Sequence, residues 1–302
     1  MDMPRGLLRQ LIGELDNFKN ITRRLLPQPE EVPRFEGIDV FGSSRWLNSV
    51  AGGDLIIYLD FKQRFDLNAR VEHAESNGRS QVARNLTRCQ KTAGIAILDV
   101  AGHRVTDASL AAMLHQALLV GATYELDMFG EITRRLFENL NTAFCRSSDE
   151  HKFIAMTYGE ISEDGRFWFL SAAQPFPLIF SHQFDRFMDV SEDQRVSFPP
   201  LGLLPSLDTI DRSATTSHLG FKDQYAMNHW ALMGAGDILV LQTDGLAEHH
   251  NGREAYVPDR LEEKLREVKH LSAKEIFDAI MSDLIAFSDP KDDITLVIIK
   301  RR

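Results

Sequence analysis

The chain alternates between two hydrophobic patterns, and each pattern predicts a different secondary structure. Short apolar runs rich in Val, Ile, Leu and Phe are typical of β-strands. Such runs occupy residues 55–61, 94–100, 153–162, 166–172, 238–243 and 294–300. Asp164-Gly165 separates the third run from the fourth, which predicts a hairpin turn between two antiparallel strands.

Longer segments repeat apolar residues every three or four positions, as amphipathic helices do. Two of them span residues 107–119 and 126–146, and a third begins at Ser272, pairs it with Glu275 in the spacing of a capping box, and runs to Phe287. Because helices and strands are grouped in separate blocks, the pattern predicts an α+β layered domain and not a βαβ repeat. Residues 181–235 follow neither pattern, and we interpret them as a long excursion that carries a flap.

Residues 5–26 predict a separate N-terminal helix. Positions 8, 11, 15, 18, 22 and 25 form a heptad-like seam. The seam falls short of the about three to four heptads of a coiled coil, so we expect it to pack on the rest of the molecule, with a homodimer through this helix as the alternative. Pro27, Pro29 and Pro33 end the helix and form a stiff linker. We therefore predict a helix and linker over residues 1–34 and a main domain over residues 35–302.

The composition excludes several classes of protein. Of 302 residues, 43% are hydrophobic and 26% are charged, as in ordinary globular proteins, and the net charge of -10 argues against a nucleic-acid partner. The N-terminus lacks the apolar core of a signal peptide, and no apolar stretch approaches the roughly 18 residues of a membrane span. Cys89 and Cys145 are too few for a disulfide framework. We expect a cytoplasmic protein without a membrane or nucleic-acid partner.

Aspartates stand at the ends of the apolar runs, where a sheet can hold side chains rigidly. Asp54 precedes the first run, Asp99 lies near the end of the second, Asp244 follows the fifth, and Asp292-Asp293 precede the last. Taken singly, each is more simply explained as a turn or a solvated residue. Several converging carboxylates would repel one another unless cations lay among them, and oxygen ligands favour Mg²⁺ or Mn²⁺ over Zn²⁺.

The order of these segments resembles the metal-dependent PPM phosphatases, which are similar to protein phosphatase 2C, in their bacterial SpoIIE/RsbU-like branch. The resemblance covers residues 25–302. It rests on Leu25-Leu26-Pro27, Gly52-Gly53-Asp54, Asp99-Val100-Ala101-Gly102-His103, residues 153–159 and 171–178, Leu201-Gly202-Leu203, residues 236–245, and Asp292-Asp293-Ile294-Thr295.

The resemblance implies a fold, a metal site and an activity. The fold is a four-layer α/β/β/α sandwich of two mostly antiparallel sheets flanked by helices, preceded by the N-terminal helix. The metal ligands of two divalent cations, Mn²⁺ or Mg²⁺, are Asp54, Asp99, Asp244 and Asp292, with the Val100 carbonyl as a further oxygen. A water shared by the two metals would attack phosphorus directly, without a phosphoenzyme. The expected activity is that of a protein serine/threonine phosphatase acting on a phosphorylated signalling protein, such as an anti-sigma-factor antagonist.

Neighbouring positions match the family less closely. His103 corresponds to a candidate general acid, or it simply caps a loop. Arg104 replaces a second glycine and is either solvent-exposed or a ligand of the substrate phosphate. Ile57 stands where the family has a second aspartate, unless Asp60 substitutes, and Gln174 stands where a histidine is frequent. These departures bear on substrate choice and turnover rather than on the metal ligands.

The resemblance also implies a mode of regulation, and two alternative functions remain open. In this branch the helices after the Asp99 motif are thought to move between inactive and active arrangements, so the resemblance implies regulation there. A degenerate phosphatase that binds a phosphoprotein without cleaving it is one alternative, and the complete set of four aspartates argues against it. A metal-dependent hydrolase of small phosphoesters is the other, and a comparison of phosphopeptides with metabolites would distinguish it.

Overall fold

The computed structural model describes residues 5–47, 52–102, 105–147, 152–208, 217–231 and 234–302. The helices are α1 (Arg5–Arg23), α2 (Phe61–Arg64), α3 (Leu67–Ser76), α4 (Ser80–Cys89), α5 (Val105–Phe129), α6 (Arg134–Ser147), α7 (Asp244–Ala247), α8 (Asp259–Val268) and α9 (Ala273–Phe287), with a 3₁₀ turn at Glu192–Gln194. The strands are β1 (Ile38–Arg45), β2 (Leu55–Asp60), β3 (Thr92–Val100), β4 (Ile154–Ser162), β5 (Phe167–Ala172), β6 (Leu178–Ser181), β7 (Arg186–Phe187), β8 (Ser197–Phe198), β9 (Asn228–Trp230), β10 (Ile238–Gln242) and β11 (Ile294–Arg301).

The strands form two sheets. The first has the order β1-β11-β10-β6-β7, and the second has the order β2-β3-β4-β5-β8, with β9 also paired to β5. Neighbouring strands are antiparallel throughout, except for the short parallel pair β5–β8. Longer strands are buried on both faces, which explains why the sequence shows continuous apolar runs instead of a strict alternation.

Three hydrophobic cores separate four layers. One core lies between the sheets and includes Val40, Ile97, Phe169, Leu239 and Val297. A second core lies between the second sheet and helices α3–α6, and a third lies between the first sheet and helices α8 and α9. The α/β/β/α sandwich with an N-terminal helix is therefore confirmed. Within the described residues, no helix has the length and apolar character to cross a membrane.

Helix α5 corrects one predicted boundary. The sequence pattern predicted a break near residue 120 and a second helix over 126–146. Instead α5 continues to Phe129, and the chain turns at Gly130, whose φ of +73° is unfavourable for other residues. The apolar spacing continues through the turn because both helices pack on the same core, so periodicity alone did not show the break.

Among the side chains of α1 that the structure describes, those near its C-terminal end pack on the molecule. Thr22 is buried, and Leu25 packs against the core under α5 and α6. By contrast, Leu11 and Leu15 of the predicted seam are 44% and 41% exposed. The expectation of packing therefore holds for the last part of the seam alone, and the described apolar side chains nearer the N-terminus face solvent.

Two side chains of α6 hold the excursion that follows β8. The Glu138 carboxylate accepts a hydrogen bond from the Tyr225 backbone N–H at 2.6 Å and pairs with the buried Lys222 ammonium at 3.3 Å. Lys222 also lies 3.3 Å from the centroid of the Tyr225 ring. The Asn141 side chain accepts a hydrogen bond from the Gly202 N–H. This part of the predicted excursion is thus fastened to α6.

Glu160 is a buried carboxylic acid in β4. The Tyr158 hydroxyl and the Trp168 indole N–H donate hydrogen bonds to it at 2.9 and 3.0 Å. Desolvation nevertheless dominates and raises the pKa of Glu160 from 4.5 to about 7. The folded protein therefore holds a proton that the unfolded chain would release.

We expect Glu160→Gln to remove a pH-dependent part of the free energy of unfolding. Because the folded-state pKa is raised, the stability contributed by protonated Glu160 is fully present below about pH 4.5 and is lost as the pH rises to about 7. Glutamine can satisfy both partners, so the fold should persist. In urea unfolding, the wild type should lose about 2–3 kcal/mol more than the variant between pH 5 and pH 8. If the free energy of unfolding changes with pH in the same way for the wild type and for Glu160→Gln, the prediction is wrong.

Candidate metal centre

Asp54 lies at the start of β2 and is 1% exposed. The Thr243 hydroxyl donates a hydrogen bond to its carboxylate at 2.7 Å, and the Trp46 indole N–H donates one to its backbone carbonyl at 2.8 Å. Thr243 follows the end of β10 in the first sheet. The Asp54 side chain therefore bridges the two sheets at one edge of the sandwich.

Asp99 and Val100 end the neighbouring strand β3. Since β3 runs antiparallel to β2, with Leu55 opposite Leu98, its end lies beside the beginning of β2. A side-chain hydrogen bond joins Asp99 to Asp54 and lowers the pKa of Asp99, against the larger effect of burial. Val100 is fully buried, and its carbonyl oxygen faces the backbone of Gly53.

Asp244 begins the short helix α7 directly after β10. Thr243 is the N-cap of α7, and its hydroxyl accepts a hydrogen bond from the Thr295 N–H at 3.1 Å. The chain at Gly245 passes so close to β11 that a Cβ there would lie 1.9 Å from the Asp293 carbonyl oxygen. Glycine at this position therefore brings Asp244 against the Asp292-Asp293 pair.

The two aspartates before β11 have different environments. Asp293 is buried, and its carboxylate accepts hydrogen bonds from the Leu47 N–H at 2.6 Å and the Gly53 N–H at 2.9 Å. Asp292 is exposed, and its carboxylate accepts a hydrogen bond from the Asp293 N–H. Asp293 thus anchors the Gly52-Gly53 turn that precedes Asp54, while Asp292 faces solvent.

The electrostatics show that these carboxylates converge. Desolvation, followed by repulsion from Asp99, holds the pKa of Asp54 well above its usual range. Desolvation, followed by repulsion from Asp244 and Asp292, raises the pKa of Asp99 to about 7. Burial and the charge of Asp292 also raise the pKa of Asp244. Carboxylates from both sheets therefore crowd one edge, where each one disfavours the ionisation of its neighbours.

The donor set fits divalent cations, although the carboxylates are not arranged around one. Within the described part of the chain, no group of three or more His, Cys, Asp or Glu side chains is positioned to hold a metal ion. One reason is that Asp54 and Asp293 direct their oxygens at protein donors. Carboxylate oxygens are nevertheless the ligands that Mg²⁺ and Mn²⁺ prefer, and a bound cation would offset the repulsion among these carboxylates.

His103 and Arg104 lie outside the described residues, but the turn before them is well defined. The Lys152 ammonium pairs with the carboxylate of Asp107, which is 0% exposed in the first turns of α5, and donates a hydrogen bond to the Ala101 carbonyl at 3.2 Å. The Ala101 N–H donates a hydrogen bond to the Phe153 carbonyl. Lys152 and Asp107 therefore hold the turn that follows Asp99 and Val100.

The structure shows the environments of the positions that depart from the family pattern, Ile57 and Gln174, and of Asp60. Asp60 lies at the opposite end of β2 from Asp54, where it caps α2 by accepting a hydrogen bond from the Gln63 N–H. It cannot substitute for the acidic residue missing at Ile57, which is buried in the core. The Gln174 side chain donates a hydrogen bond to the Ala155 carbonyl, while its buried oxygen has no partner among the described residues.

Sequence reasoning missed several residues that position the aspartates. Thr243 and Thr295 link Asp54 to the first sheet, Trp46 holds its backbone, and Lys152 and Asp107 hold the turn after Asp99. Thr243 and Thr295 stand next to the acidic motifs, which was an available signal. The sequence holds no comparable signal for Trp46 or Lys152, since their contacts depend on the fold.

Solved structures share this fold. The SiaA-PP2C domain of Pseudomonas aeruginosa matches with a TM-score of 0.63 at 16% identity, over 99% of this chain and all (100%) of its own. The RsbU and RsbW domains of Rv1364c from Mycobacterium tuberculosis match with a TM-score of 0.61 at 18% identity, over 92% of this chain, which spans 64% of that one. RsbX, solved in complex with magnesium, matches with a TM-score of 0.54 at 14% identity, over 90% of this chain and 98% of its own.

The sequence comparisons identify the family. No curated protein matches the chain in sequence. The model of the family described as Stage II sporulation protein E (SpoIIE) matches residues 90–302, which include β3 to β11 and all the predicted site residues except Asp54. Together with the two-sheet sandwich, this match shows that the chain belongs to the SpoIIE family, whose fold is that of the PP2C-type phosphatase domains.

Proposed function

We propose that the chain is a metal-dependent protein serine/threonine phosphatase, and that its substrate is a phosphorylated signalling protein such as an anti-sigma-factor antagonist. The observation that carries the proposal is the convergence of Asp54, Asp99, Asp244 and Asp292 from the ends of strands in both sheets. Structural carboxylates are rarely crowded in this way, because each one raises the free energy of ionising the next. Membership of the SpoIIE family supports the same activity.

In this proposal the four aspartates hold two divalent cations, Mn²⁺ or Mg²⁺, and the Val100 carbonyl supplies a further oxygen. The structural neighbour RsbX was solved with magnesium, which supports this class of ion. Such cations, when bound, lower the pKa of water and neutralise charge on a phosphoryl group. Asp293 orients the Gly52-Gly53 turn, and Thr243 orients the Asp54 carboxylate.

His103 and Arg104 complete the proposed site. His103 would donate a proton to the leaving serine or threonine oxygen, and Arg104 would hold the substrate phosphate. Both follow Gly102, whose φ of +107° turns the chain against Asp107 and Lys152. The ion pair between Asp107 and Lys152 would therefore position this pair of residues.

Phosphate release from p-nitrophenyl phosphate and from a phosphoserine peptide tests the activity. Assays contain Mn²⁺, Mg²⁺ or EDTA and compare the wild type with Asp99→Ala and Asp244→Ala. Activity that requires metal and is lost in both variants supports the proposal, and phosphometabolites as better substrates would contradict a protein substrate. If the wild type is inactive, calorimetric titration with metal decides: failure to bind would end the phosphatase proposal in favour of a phosphoprotein-binding module.

We expect Lys152→Met to lower kcat for the phosphoserine peptide by about 10- to 100-fold, because the turn after Asp99 loses its support. Lys152→Arg keeps the charge and should retain most of the activity. KM should change little in either variant, since Lys152 does not touch the substrate in this proposal. Circular dichroism verifies that both variants are folded, which matters because Lys152→Met removes the ammonium that pairs with the buried Asp107 carboxylate. Full activity of Lys152→Met would contradict the positioning role.

We also propose that α1 pairs with α1 of a second copy. Leu7, Leu11, Ile12, Leu15 and Ile21 are exposed along this helix, and an amphipathic helix is stable when another surface covers its apolar side chains. Sedimentation equilibrium should give a dimer for the wild type and a monomer for the Leu11→Glu, Leu15→Glu variant. Gln10→Glu with Asn17→Glu, which adds the same charge at polar positions, should stay dimeric. A monomeric wild type would refute the pairing.

We also propose that residues 1–34 and residues 35–302 form separate parts of the molecule. The proposed location is the cytoplasm. Leu25 and Leu26 pack on the main domain, so α1 and the domain meet at the Pro-rich linker. A phosphorylated signalling protein would be met in the cytoplasm, where the two thiols stay reduced. Cys89 and Cys145 are both free.

A further inference from the structure

A groove of about 760 Å³ lies between the loop that follows α7, the start of α8 and the end of α9. Apolar side chains line part of it, namely Ala255, Val257, Pro258, Ala286 and Phe287. Carboxylates line much of the rest, namely Glu254, Asp259, Glu263 and Asp283, and Arg260 is the cationic residue of the lining. Residues 251–263 and 283–287, which build the groove, contain five Asp and Glu and two Lys and Arg. The groove thus combines an apolar surface with an excess of negative charge.

The ion pairs of the groove do not remove this excess. The Asp283 carboxylate accepts hydrogen bonds from the Arg260 guanidinium at 2.7 and 2.9 Å, and it lies 3.6 Å from the Lys264 ammonium. Lys264 also pairs with Glu267, outside the lining. The four lining carboxylates and Glu267 make five negative charges against the two positive charges of Arg260 and Lys264. The groove and its direct partners therefore have a net charge of -3.

The carboxylates that remain are exposed at the rim of the groove. Glu254, Asp259 and Glu263 are all exposed. Among the residues that the structure describes, no cationic side chain pairs with Glu254 or Asp259. The Glu263 carboxylate lies 3.8 Å from the Arg260 guanidinium, which already pairs with Asp283 at a shorter distance. These rim carboxylates are available to a cationic group of another molecule.

The loop after α7 is held in one conformation. Tyr256 is buried, its backbone N–H donates a hydrogen bond to the His249 carbonyl at 2.8 Å, and its hydroxyl donates one to the Asp283 carboxylate at 3.1 Å. The Asn251 side chain accepts a hydrogen bond from the Glu254 N–H at 3.0 Å. Because the loop is already fixed, a ligand that binds the rim does not have to order it.

The groove lies near two of the proposed metal ligands. Asp244 begins α7, and the loop follows that helix directly. Phe287 precedes Asp292 by five residues, so their Cα atoms are at most about 18 Å apart. The Lys291 ammonium lies 3.4 Å from Nε2 of His250 in the loop. An extended peptide advances about 3.3 Å per residue. A peptide with its phosphoryl group at the aspartates therefore reaches the groove within about five residues.

We propose that this groove binds an arginine of the phosphoprotein substrate, within about five residues of the phosphoserine or phosphothreonine. This inference rests on the proposed phosphatase function. The alkyl part of an arginine side chain would lie on the apolar lining, and its guanidinium would pair with the rim carboxylates. The chain has a net charge of -10, which repels a phosphorylated substrate, and an arginine beside the phosphorylated residue offsets that repulsion.

The test measures phosphate release from a series of phosphoserine peptides in the presence of Mn²⁺. A single arginine is placed in turn at each of the five positions on either side of the phosphoserine, in an otherwise uncharged sequence, and the reference peptide has glutamine there. We expect at least one position to raise kcat/KM at least about tenfold over the reference. NaCl at about 300 mM should reduce that preference to less than about threefold, because the attraction is between exposed charges. Hydrolysis of p-nitrophenyl phosphate, which has no such segment, reports the phosphatase activity by itself.

The double variant Glu254→Lys, Glu263→Lys reverses two charges at the rim, and both positions are exposed and outside the proposed metal site. It should reduce the preference for arginine to less than about twofold and leave p-nitrophenyl phosphate hydrolysis within about twofold of the wild type. The matched control, Glu72→Lys with Glu75→Lys, makes the same change of charge at exposed positions of α3 in the opposite helical layer. It should keep the preference of the wild type.

The outcomes separate this inference from the proposed function. If the wild type hydrolyses p-nitrophenyl phosphate but does not prefer arginine, or if the Glu254→Lys, Glu263→Lys variant keeps the preference, the groove does not recognise arginine and the phosphatase proposal stands. An equal loss of preference in the α3 control would also overturn the inference. If the wild type releases no phosphate from any substrate, the phosphatase proposal fails. Fluorescence anisotropy with a labelled arginine peptide in EDTA then tests the groove alone, and equal binding by the wild type and the rim variant would overturn arginine recognition.

Discussion

Replacement of Asp54 by asparagine should stabilise the metal-free protein and abolish phosphate release. Asp54 is buried beside Asp99, and both desolvation and this neighbour hold its pKa well above the usual range. At pH 8 the folded protein must therefore either keep a proton on Asp54 or bury a second charge. The asparagine amide needs neither, can donate a hydrogen bond to Asp99, and can accept the one from Thr243. We expect the free energy of unfolding in EDTA to rise by about 1–3 kcal/mol.

The same variant should release phosphate at less than about 1% of the wild-type rate, since the proposed metal site loses a charged ligand. Mn²⁺ should raise the melting temperature of the wild type and have little effect on Asp54→Asn. Chemical unfolding at pH 8 in EDTA measures the free energy of unfolding, thermal unfolding with and without Mn²⁺ measures the melting temperature, and a phosphate-release assay measures the rate. If Asp54→Asn is less stable than the wild type in EDTA, the Asp54 carboxylate stabilises the fold. That result would remove the electrostatic argument for a cation site.

Gly245→Ala is expected to have the second large effect. The added methyl group would lie 1.9 Å from the Asp293 carbonyl oxygen and 3.5 Å from the Asp292 side chain, so backbone must move. Either α7 shifts away from β11 or the Asp292-Asp293 turn shifts, and in both cases Asp244 leaves its neighbours. We expect a loss of about 3 kcal/mol or more in the free energy of unfolding and a loss of about 99% of the activity.

Gly13→Ala provides the control for this substitution. Gly13 lies in α1, and no atom is within 4 Å of an added methyl group. Alanine should leave activity unchanged and stabilise the helix by up to about 1 kcal/mol. Thermal unfolding and phosphate release of both variants give the comparison. An active and stable Gly245→Ala protein would show that the close approach of α7 and β11 is unnecessary.

The long buried elements were predictable from the sequence, and the short or polar ones were not. The six predicted strands match β2, β3, β4, β5, β10 and β11 to within two residues at each end, because most of their positions are buried and apolar. β1 was missed because it has a Gly-Ser-Ser segment and lies at an edge of its sheet. Helices α3 and α4 were missed because few of their side chains are apolar. The capping box at Ser272 and Glu275 is confirmed.

The sequence offers candidate site residues but does not show their arrangement. The sequence places Asp54, Asp99, Asp244 and Asp292 at strand ends, and the antiparallel pairing brings those ends together. The different environments of Asp292 and Asp293 could not be predicted, since they depend on backbone N–H groups about 240 residues away in the chain. Long-range contacts of this kind leave no local pattern.

The position of β11 between β1 and β10 has a consequence for the synthesis of the protein. The first sheet cannot close until residue 301 has been added, because β11, which joins β1 to β10, follows both of them in the chain. Until then β1 and β10 have unpaired edges, and Val40, Leu239 and Leu241 lack the cover that β11 provides. Such a nascent chain exposes strands that can pair with other chains, and late, long-range pairing slows folding. Slower translation between β10 and β11 would lengthen this exposure, so the yield of soluble protein should depend on how quickly residues 294–301 follow β10.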